Sequence, residues 1–328
     1  MKLTVLGAGA IGAYVGACVE RAGAADVTLV ARGAHLDAMR ERGVTVRSAE
    51  GEFTVHPRVE GELTAIASAD VVFCGLKAHQ IPPVASSVGE RLSPETAIVW
   101  AQNGIPFWYF QALEGPLGGT VLESVDPGGL ISASIAPAHN VGCVVYCATE
   151  LVAPGVVHHL EGNRFSLGEP SGEPSERCRA IAGILTASGL KAPVEARLRD
   201  NLWLKLIGNV AFNPVSALTR ATLGELGERR DMVQLLHEML EECASVAGAL
   251  GVCLPLSIDR RLQAAFAVGD HRTSMLQDLE HGKPLELECM TGAVIELAGL
   301  LGIEVPRVRT VHACVALLDR LSRRVPEP

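Results

Sequence analysis

The 328-residue sequence has no excess of positive charge, no apolar run of membrane-spanning length and no paired-cysteine motif. Each absence removes a class of function. A formal net charge of −9 disfavours nonspecific contact with DNA, RNA or an anionic lipid surface, because like charges repel. Any phosphate or carboxylate site must then be a local basic pocket in an acidic surround. A membrane helix needs about 20 consecutive apolar residues, and none of that length occurs, so no membrane partner is expected. The opening Met1-Lys2-Leu3-Thr4-Val5-Leu6-Gly7 lacks the apolar core and cleavage site of a secretory signal. Nine cysteines, an odd number, form no C-x-x-C pair, and those such as Cys74 and Cys289 sit among apolar residues as small hydrophobes. A reducing cytoplasm is expected, without a zinc site or a disulfide framework. His139 and His158-His159 have no third ligand at metal spacing, Glu241-Glu242 reads as a solvated edge, and the G-x-S-x-G elbow of a serine nucleophile is absent. There is no internal repeat and no low-complexity tract. Arg323–Pro328 reads as a frayed tail.

What remains is an ordinary globular composition, 48 % hydrophobic and 20 % charged, on a chain longer than one core usually supports. Two domains are expected. In the first half, β-branched runs at Leu3–Leu6, Val27–Val30, Val71–Cys74 and Ile98–Ala101 read as buried parallel strands. Helical patterns near Ile11–Ala22, His35–Arg42 and Val84–Arg91 lie between them. Val44–Arg47 and Phe53–His56 flank Glu50-Gly51 as a small hairpin. This alternation implies a doubly wound α/β domain. The Gly-, Pro- and Ser-rich stretch 114–140 suggests at most a helix with long flanking loops. Strands are expected again at Gly142–Cys147, Val156–His159, Phe165–Leu167 and Lys191–Val194, with a helix over Ser175–Ser188. Beyond Arg197 the pattern is helical almost to the end. The parse is a first domain at 1–196 and an all-helical second domain at 197–328.

Gly7-Ala8-Gly9-Ala10-Ile11-Gly12 is a G-x-G-x-x-G motif that follows a strand and opens a helix. In that context glycines permit a tight turn, the close approach of a pyrophosphate and close helix–strand packing, and the helix N-terminus faces the negative charge. The second strand ends at Arg32 rather than at an acid. An acid would accept from the ribose 2′-OH of NAD, whereas a guanidinium pairs with a 2′-phosphate, so NADP(H) is the expected cofactor. Lys77 and Asn103 follow later strands at their C-terminal ends, where doubly wound folds place ligands. Further on, Lys205, Asn209 and Asn213 recur every four residues and form one polar stripe on an otherwise apolar helix. The spacing fits a solvated edge or the wall of a binding site, and a lysine in such surroundings is costly unless it meets a polar partner. Proline disfavours helical geometry just before it, so the helix is expected to end or kink at Asn213-Pro214.

Gly7–Gly12, Leu76-Lys77-Ala78-His79-Gln80, Gln102-Asn103-Gly104, the stripe from Leu202-Trp203-Leu204-Lys205-Leu206 to Asn213-Pro214, and Ser274-Met275-Leu276-Gln277-Asp278 occur in that order. This set resembles the ketopantoate reductase (2-dehydropantoate 2-reductase) family over essentially the whole chain. The resemblance implies a Rossmann-type first domain and NADPH-dependent reduction of a 2-oxo acid, ketopantoate to pantoate in pantothenate biosynthesis, with the substrate between the domains. It implies catalytic roles for Lys205 and Glu286, and substrate contacts from Asn103, Asn209, Asn213 and Ser274. Cofactor contacts fall to Gly7, Ala8, Gly9, Ala10, Ile11, Gly12, Arg32, Lys77, Asn103, Ala148 and Glu286. A homodimer is a further expectation. Read alone, Glu286 is equally well a first-turn acid favoured by a helix dipole. Two departures bear on substrate: Leu223 replaces an asparagine that contacts substrate in the family, and 114–140 is longer than expected. They leave open a different branched 2-oxo acid or lactone. A more remote alternative is a non-catalytic NADP(H)-binding sensor, against which the intact lysine–asparagine stripe argues.

Overall fold

Strands with every residue buried form only where both faces of a sheet are covered, and Val71–Cys74 and Ala97–Trp100 are of that kind. They lie at the centre of a nine-stranded mixed sheet in the computed structural model, which describes residues 1–323. The frayed-tail reading covers 323–328: Arg323 is bonded to Asp319 through its guanidinium, and 324–328 lie outside the described residues. In chain order the strands are β1 Lys2–Leu6, β2 Asp26–Val30, β3 Val44–Ser48, β4 Gly51–Val55, β5 Arg58–Glu60, β6 Val71–Cys74, β7 Ala97–Trp100, β8 Asn140–Ala153 and β9 Val156–Gly168. Across the sheet they run β4-β3-β9-β8-β7-β6-β1-β2-β5. All neighbours pair parallel except the two hairpins, β3–β4 and β8–β9. Among the helices of this unit, α1 Ala10–Ala22 buries Ala13, Val15, Ala17 and Val19 in the core with Val5 and Leu29 of the sheet. The others are α2 Gly33–Arg42, α3 Ala85–Gly89, α4 Leu130–Ser134 and α5 Glu176–Ala187, the last capped by the Ser175 hydroxyl.

The chain divides into two compact units. The first comprises 1–102, 106–121 and 126–198, and the second comprises 103–105, 122–125 and 199–328. The main division at 198/199 compares with the expected 196/197. Two short segments that the sequence leaves in the first domain belong to the second. One is held by a side chain: both Glu296 carboxylate oxygens accept, from the Glu123 and Ser124 N–H groups, at 2.8 and 2.9 Å. The second unit is helical: α6 Leu198–Thr219 crosses into it, followed by α7 Leu223–Gly227, α8 Arg230–Ala249, α9 Ile258–Phe266 and α10 Ser274–Glu280. A π turn over Glu288–Gly292 then leads into α11 Ala293–Leu301, and α12 Pro306–Ser322 follows. No described helix is long and apolar enough to cross a membrane.

Several local expectations are corrected. Helix α6 does not end at Asn213-Pro214 but continues to Thr219, although the proline forfeits one ladder hydrogen bond. Burial of Val215 and Ala217 beyond it holds the last turns in place. Lys191–Val194 makes only isolated bridges, Arg164 with Lys191 and Leu167 with Val194, because Pro193 between them lacks an N–H. The helix near Val84–Arg91 shrinks to five residues, Ala85–Gly89. The segment 114–140 does hold one α-helix, the five residues Leu130–Ser134, as expected. The carboxylate of buried Asp126 accepts from the Ile131 and Ser132 N–H groups and so caps that helix. Glu242 is not a solvated edge: its carboxylate accepts from Arg307 and Val308 N–H, both at 3.0 Å, at the start of α12.

Candidate active site

The turn between β1 and α1 carries the G-x-G-x-x-G residues. A side chain at Gly12 would strike the Gly7 carbonyl at 2.3 Å and Val5 at 2.9 Å, so this glycine permits the close helix–strand packing. Gly9, by contrast, has nothing within 4 Å of where a Cβ would be. It precedes a 13-residue helix whose N-terminus has no side-chain cap and no acid in its first turn. Unsatisfied N–H groups at such a helix end form an anion site, and the open space at Gly9 fits a pyrophosphate. Arg32 stands before α2, exposed, and its guanidinium makes no hydrogen bond or ion pair among the described residues. Lys77 follows β6, and its N–H donates to Gln80 Oε1 at 2.9 Å. Sequence reasoning gave no role to Gln102, whose amide donates to the Cys74 and Leu76 carbonyls at 2.9 and 3.0 Å and fixes that turn. Ala148 lies half-buried where the β8–β9 register is irregular.

In the second unit, α6 buries Leu202, Trp203, Leu206, Ile207, Val210, Ala211 and Phe212. That packing leaves Lys205 and Asn209 half-buried. The Lys205 ammonium donates to Asn103 Oδ1 at 2.6 Å, and Asn103 Nδ2 donates to Glu286 Oε2 at 3.4 Å. Three residues distant in sequence thus form one hydrogen-bonded chain. Asn103 is held there by its neighbours: Ile105 N–H donates to the Cys289 carbonyl at 2.7 Å. Gly104 between them has φ +87°, and a Cβ on it would lie 2.2 Å from that same carbonyl oxygen. Only glycine fits this left-handed, close-packed position. Glu286 sits not in a helix but in the strap before the π turn, flanked by buried Leu285 and Leu287. Leu285 N–H donates to the Asp319 carboxylate at 3.3 Å, which anchors the strap.

The other predicted substrate contacts are placed differently. Asn213 is buried, with its amide 4.0 Å from the Met290 sulfur. Asn209 makes no side-chain hydrogen bond among the described residues. Ser274 is the exposed first residue of α10, and Thr273 before it supplies the cap. No hydrogen bond that the structure records joins these three to the Lys205–Asn103–Glu286 chain. The histidines discounted for metal bond backbone instead: the His139 ring to the Thr96 carbonyl at 2.8 Å, and His159 to the Gly162 carbonyl, its ring stacked on Tyr14.

Both halves match known sequences. The profile of "Ketopantoate reductase PanE/ApbA" covers residues 3–172, and that of the C-terminal part of the same family covers 197–319. The chain belongs to the ketopantoate reductase family. A 2-dehydropantoate 2-reductase from Mesorhizobium japonicum is 44 % identical over 98 % of both chains. A protein assigned as a ketopantoate reductase from Ralstonia solanacearum superposes with a TM-score of 0.92 at 32 % identity, covering 98 % of each chain. The fold is shared more widely: a D-mandelate dehydrogenase solved with NADH and anilino(oxo)acetate superposes at TM-score 0.84 with 18 % identity, over 99 % of this chain and all of that one. As a ketopantoate reductase family member the chain is a pyridine-nucleotide-dependent oxidoreductase acting on a small molecule.

Proposed function

We propose that this enzyme reduces 2-dehydropantoate to pantoate with NADPH, the reductive step of pantothenate biosynthesis. The observation that carries the reading is the Lys205–Asn103–Glu286 chain, a cation held by hydrogen bonds on a rigid helix. When bound, NADPH supplies the hydride that goes to the C2 carbonyl carbon. The chain's own residues manage the charge that builds on the carbonyl oxygen. The Lys205 ammonium stabilises it and releases a proton to it as general acid. One ammonium N–H is committed to Asn103, which fixes the direction of the others. Asn103 in turn orients the Glu286 carboxylate, which accepts from the substrate hydroxyl. Asn209 and Ser274 offer further polar contacts to the substrate. Arg32 supplies the preference for a 2′-phosphate, since an exposed guanidinium can meet it with two parallel hydrogen bonds.

A second reading, the same chemistry on another branched 2-oxo acid or lactone, is favoured by Leu223. This apolar residue is buried at the start of α7, where the family places a substrate-contacting asparagine. Steady-state rates with 2-dehydropantoate and a panel of 2-oxo acids separate the two. Robust turnover of 2-dehydropantoate supports the first, and turnover confined to another acid supports the second. Within either, Lys205→Ala is expected to lower kcat by about 10²–10⁴-fold, the usual worth of a positioned general acid, while NADPH still binds. Near-normal turnover in that variant would remove Lys205 from its role.

A further inference from the structure

His35, the third residue of α2, is bonded at both ring nitrogens. Gly155, in the turn between β8 and β9, donates its N–H to Nδ1 at 2.9 Å. A backbone N–H can only donate, so Nδ1 carries no proton. The neutral ring must then hold its proton on Nε2, which lies 2.7 Å from the Ala8 carbonyl oxygen. The ring therefore donates to Ala8. Burial, opposed in part by the bond to Ala8, pushes the His35 pKa below its ordinary value and so favours this neutral form. The Gly155 end is itself fixed, because its carbonyl accepts from Thr45 N–H of β3 at 2.9 Å.

Ala8 lies inside the G-x-G-x-x-G turn, and its carbonyl direction has a consequence one bond away. A trans peptide is planar, with C=O and N–H pointing in opposite directions. With the Ala8 carbonyl drawn to His35, the Gly9 N–H points the other way. That N–H makes no hydrogen bond among the described residues, and Gly9 opens on empty space. An N–H with no partner, beside an uncapped helix N-terminus, is suited to a phosphate oxygen. We propose that His35 is a positioning residue for the cofactor: by holding the Ala8 carbonyl from behind, it aims the Gly9 N–H at the dinucleotide pyrophosphate. The inference rests on the pyridine-nucleotide chemistry of the site and is independent of which oxo acid is reduced.

The test is titration of the full-length enzyme and three variants with NADPH, followed by the nucleotide's fluorescence, alongside kcat at saturating NADPH. His35→Gln can place an amide N–H near the Nε2 position and keep the bond to Ala8. His35→Asn places its carbonyl near Nδ1, keeping only the bond from Gly155, and His35→Leu keeps neither. Expected is a rise in the NADPH dissociation constant of about tenfold for Asn and Leu, or ~1.4 kcal/mol, with Gln within about threefold and kcat within about twofold throughout. Thermal unfolding of each variant establishes that it is folded. In the wild type, the ¹⁵N resonances of the His35 ring should report a protonated Nε2 and a bare Nδ1. Wild-type affinity in all three variants, equal loss in all three, or a proton on Nδ1 would overturn the assignment. Failure to turn over 2-dehydropantoate would not touch it, because the titration needs no oxo acid.

Discussion

At the scale of single residues, the informative contacts span distances that sequence patterns do not report. Lys205 was legible because a charge among apolar residues is costly on any helix. Its partner was not legible as a partner: Asn103 lies 102 positions away, and Asn103 and Glu286 are 183 apart. Read alone, each was as consistent with loop polarity or a helix-end acid as with function. Arg32 differs, since its place at the end of β2 is set by local alternation, and the structure leaves it exposed and unpaired among the described residues. Its role is tested by cofactor choice. Arg32→Ser should raise the KM for NADPH by about tenfold, equivalent to ~1.4 kcal/mol for one charge-assisted contact, and leave the KM for NADH within about twofold. Parallel steady-state kinetics with the two nucleotides measure this. Equal changes for both would mean that Arg32 does not read the 2′-phosphate.

At the scale of elements, strands were read well and irregular turns poorly, for a physical reason. The buried parallel strands β1, β2, β6 and β7 announce themselves as short β-branched runs, and the β3–β4 hairpin by Glu50-Gly51, although its turn lies one residue earlier, at Ala49-Glu50. The three-residue edge strand β5 and the π turn at Glu288–Gly292 have no periodicity to detect. The π turn nevertheless carries the Cys289 carbonyl that accepts from Ile105 and so seats Asn103 beside Lys205. Gly104 is the joint of this arrangement. Gly104→Ala places a methyl against that backbone carbonyl at a φ of +87°, where an L-residue is strained. The variant should lose at least about 1–3 kcal/mol of stability, the usual cost of such strain. Its kcat should fall by more than about tenfold, because a misplacement of 1 Å at a catalytic group is expensive. Urea unfolding and steady-state rates read the two effects separately. A stable variant with unchanged kcat would mean that the 103–105 segment does not position the site.

For the whole molecule, a net charge of −9 makes acid the natural stress, since protonating carboxylates removes whatever stability their ionised forms hold. Most contribute little. Asp231 and Glu238 are held below the ordinary range mainly by hydrogen bonds from Arg229, Gln234 and Arg307, but Asp231 is exposed and Glu238 only partly covered, and such surface pairs are worth little. Glu169 is different: only 9 % exposed, just after β9, it accepts from Ser175 and twice from Arg177 of α5. Arg177 also donates to the Ala138 and Asn140 carbonyls, so one ion pair ties β9, α5 and the start of β8 together. Burial pushes the Glu169 carboxyl up, but the Arg177 and Ser175 hydrogen bonds outweigh it and carry its pKa below the ordinary carboxylate value. A pKa lower in the folded than in the unfolded chain gives stability that is present above the unfolded value and lost as pH falls through the lower folded value. Glu169→Gln should therefore cost about 2 kcal/mol at neutral pH, with Arg177 left half-exposed, and the gap to wild type should close in acid. Urea unfolding at neutral pH and near pH 3, followed by tryptophan fluorescence, tests this, because Trp100 and Trp108 are buried in the same unit as the ion pair. A gap that stays constant with pH would show that Glu169 acts through packing rather than charge.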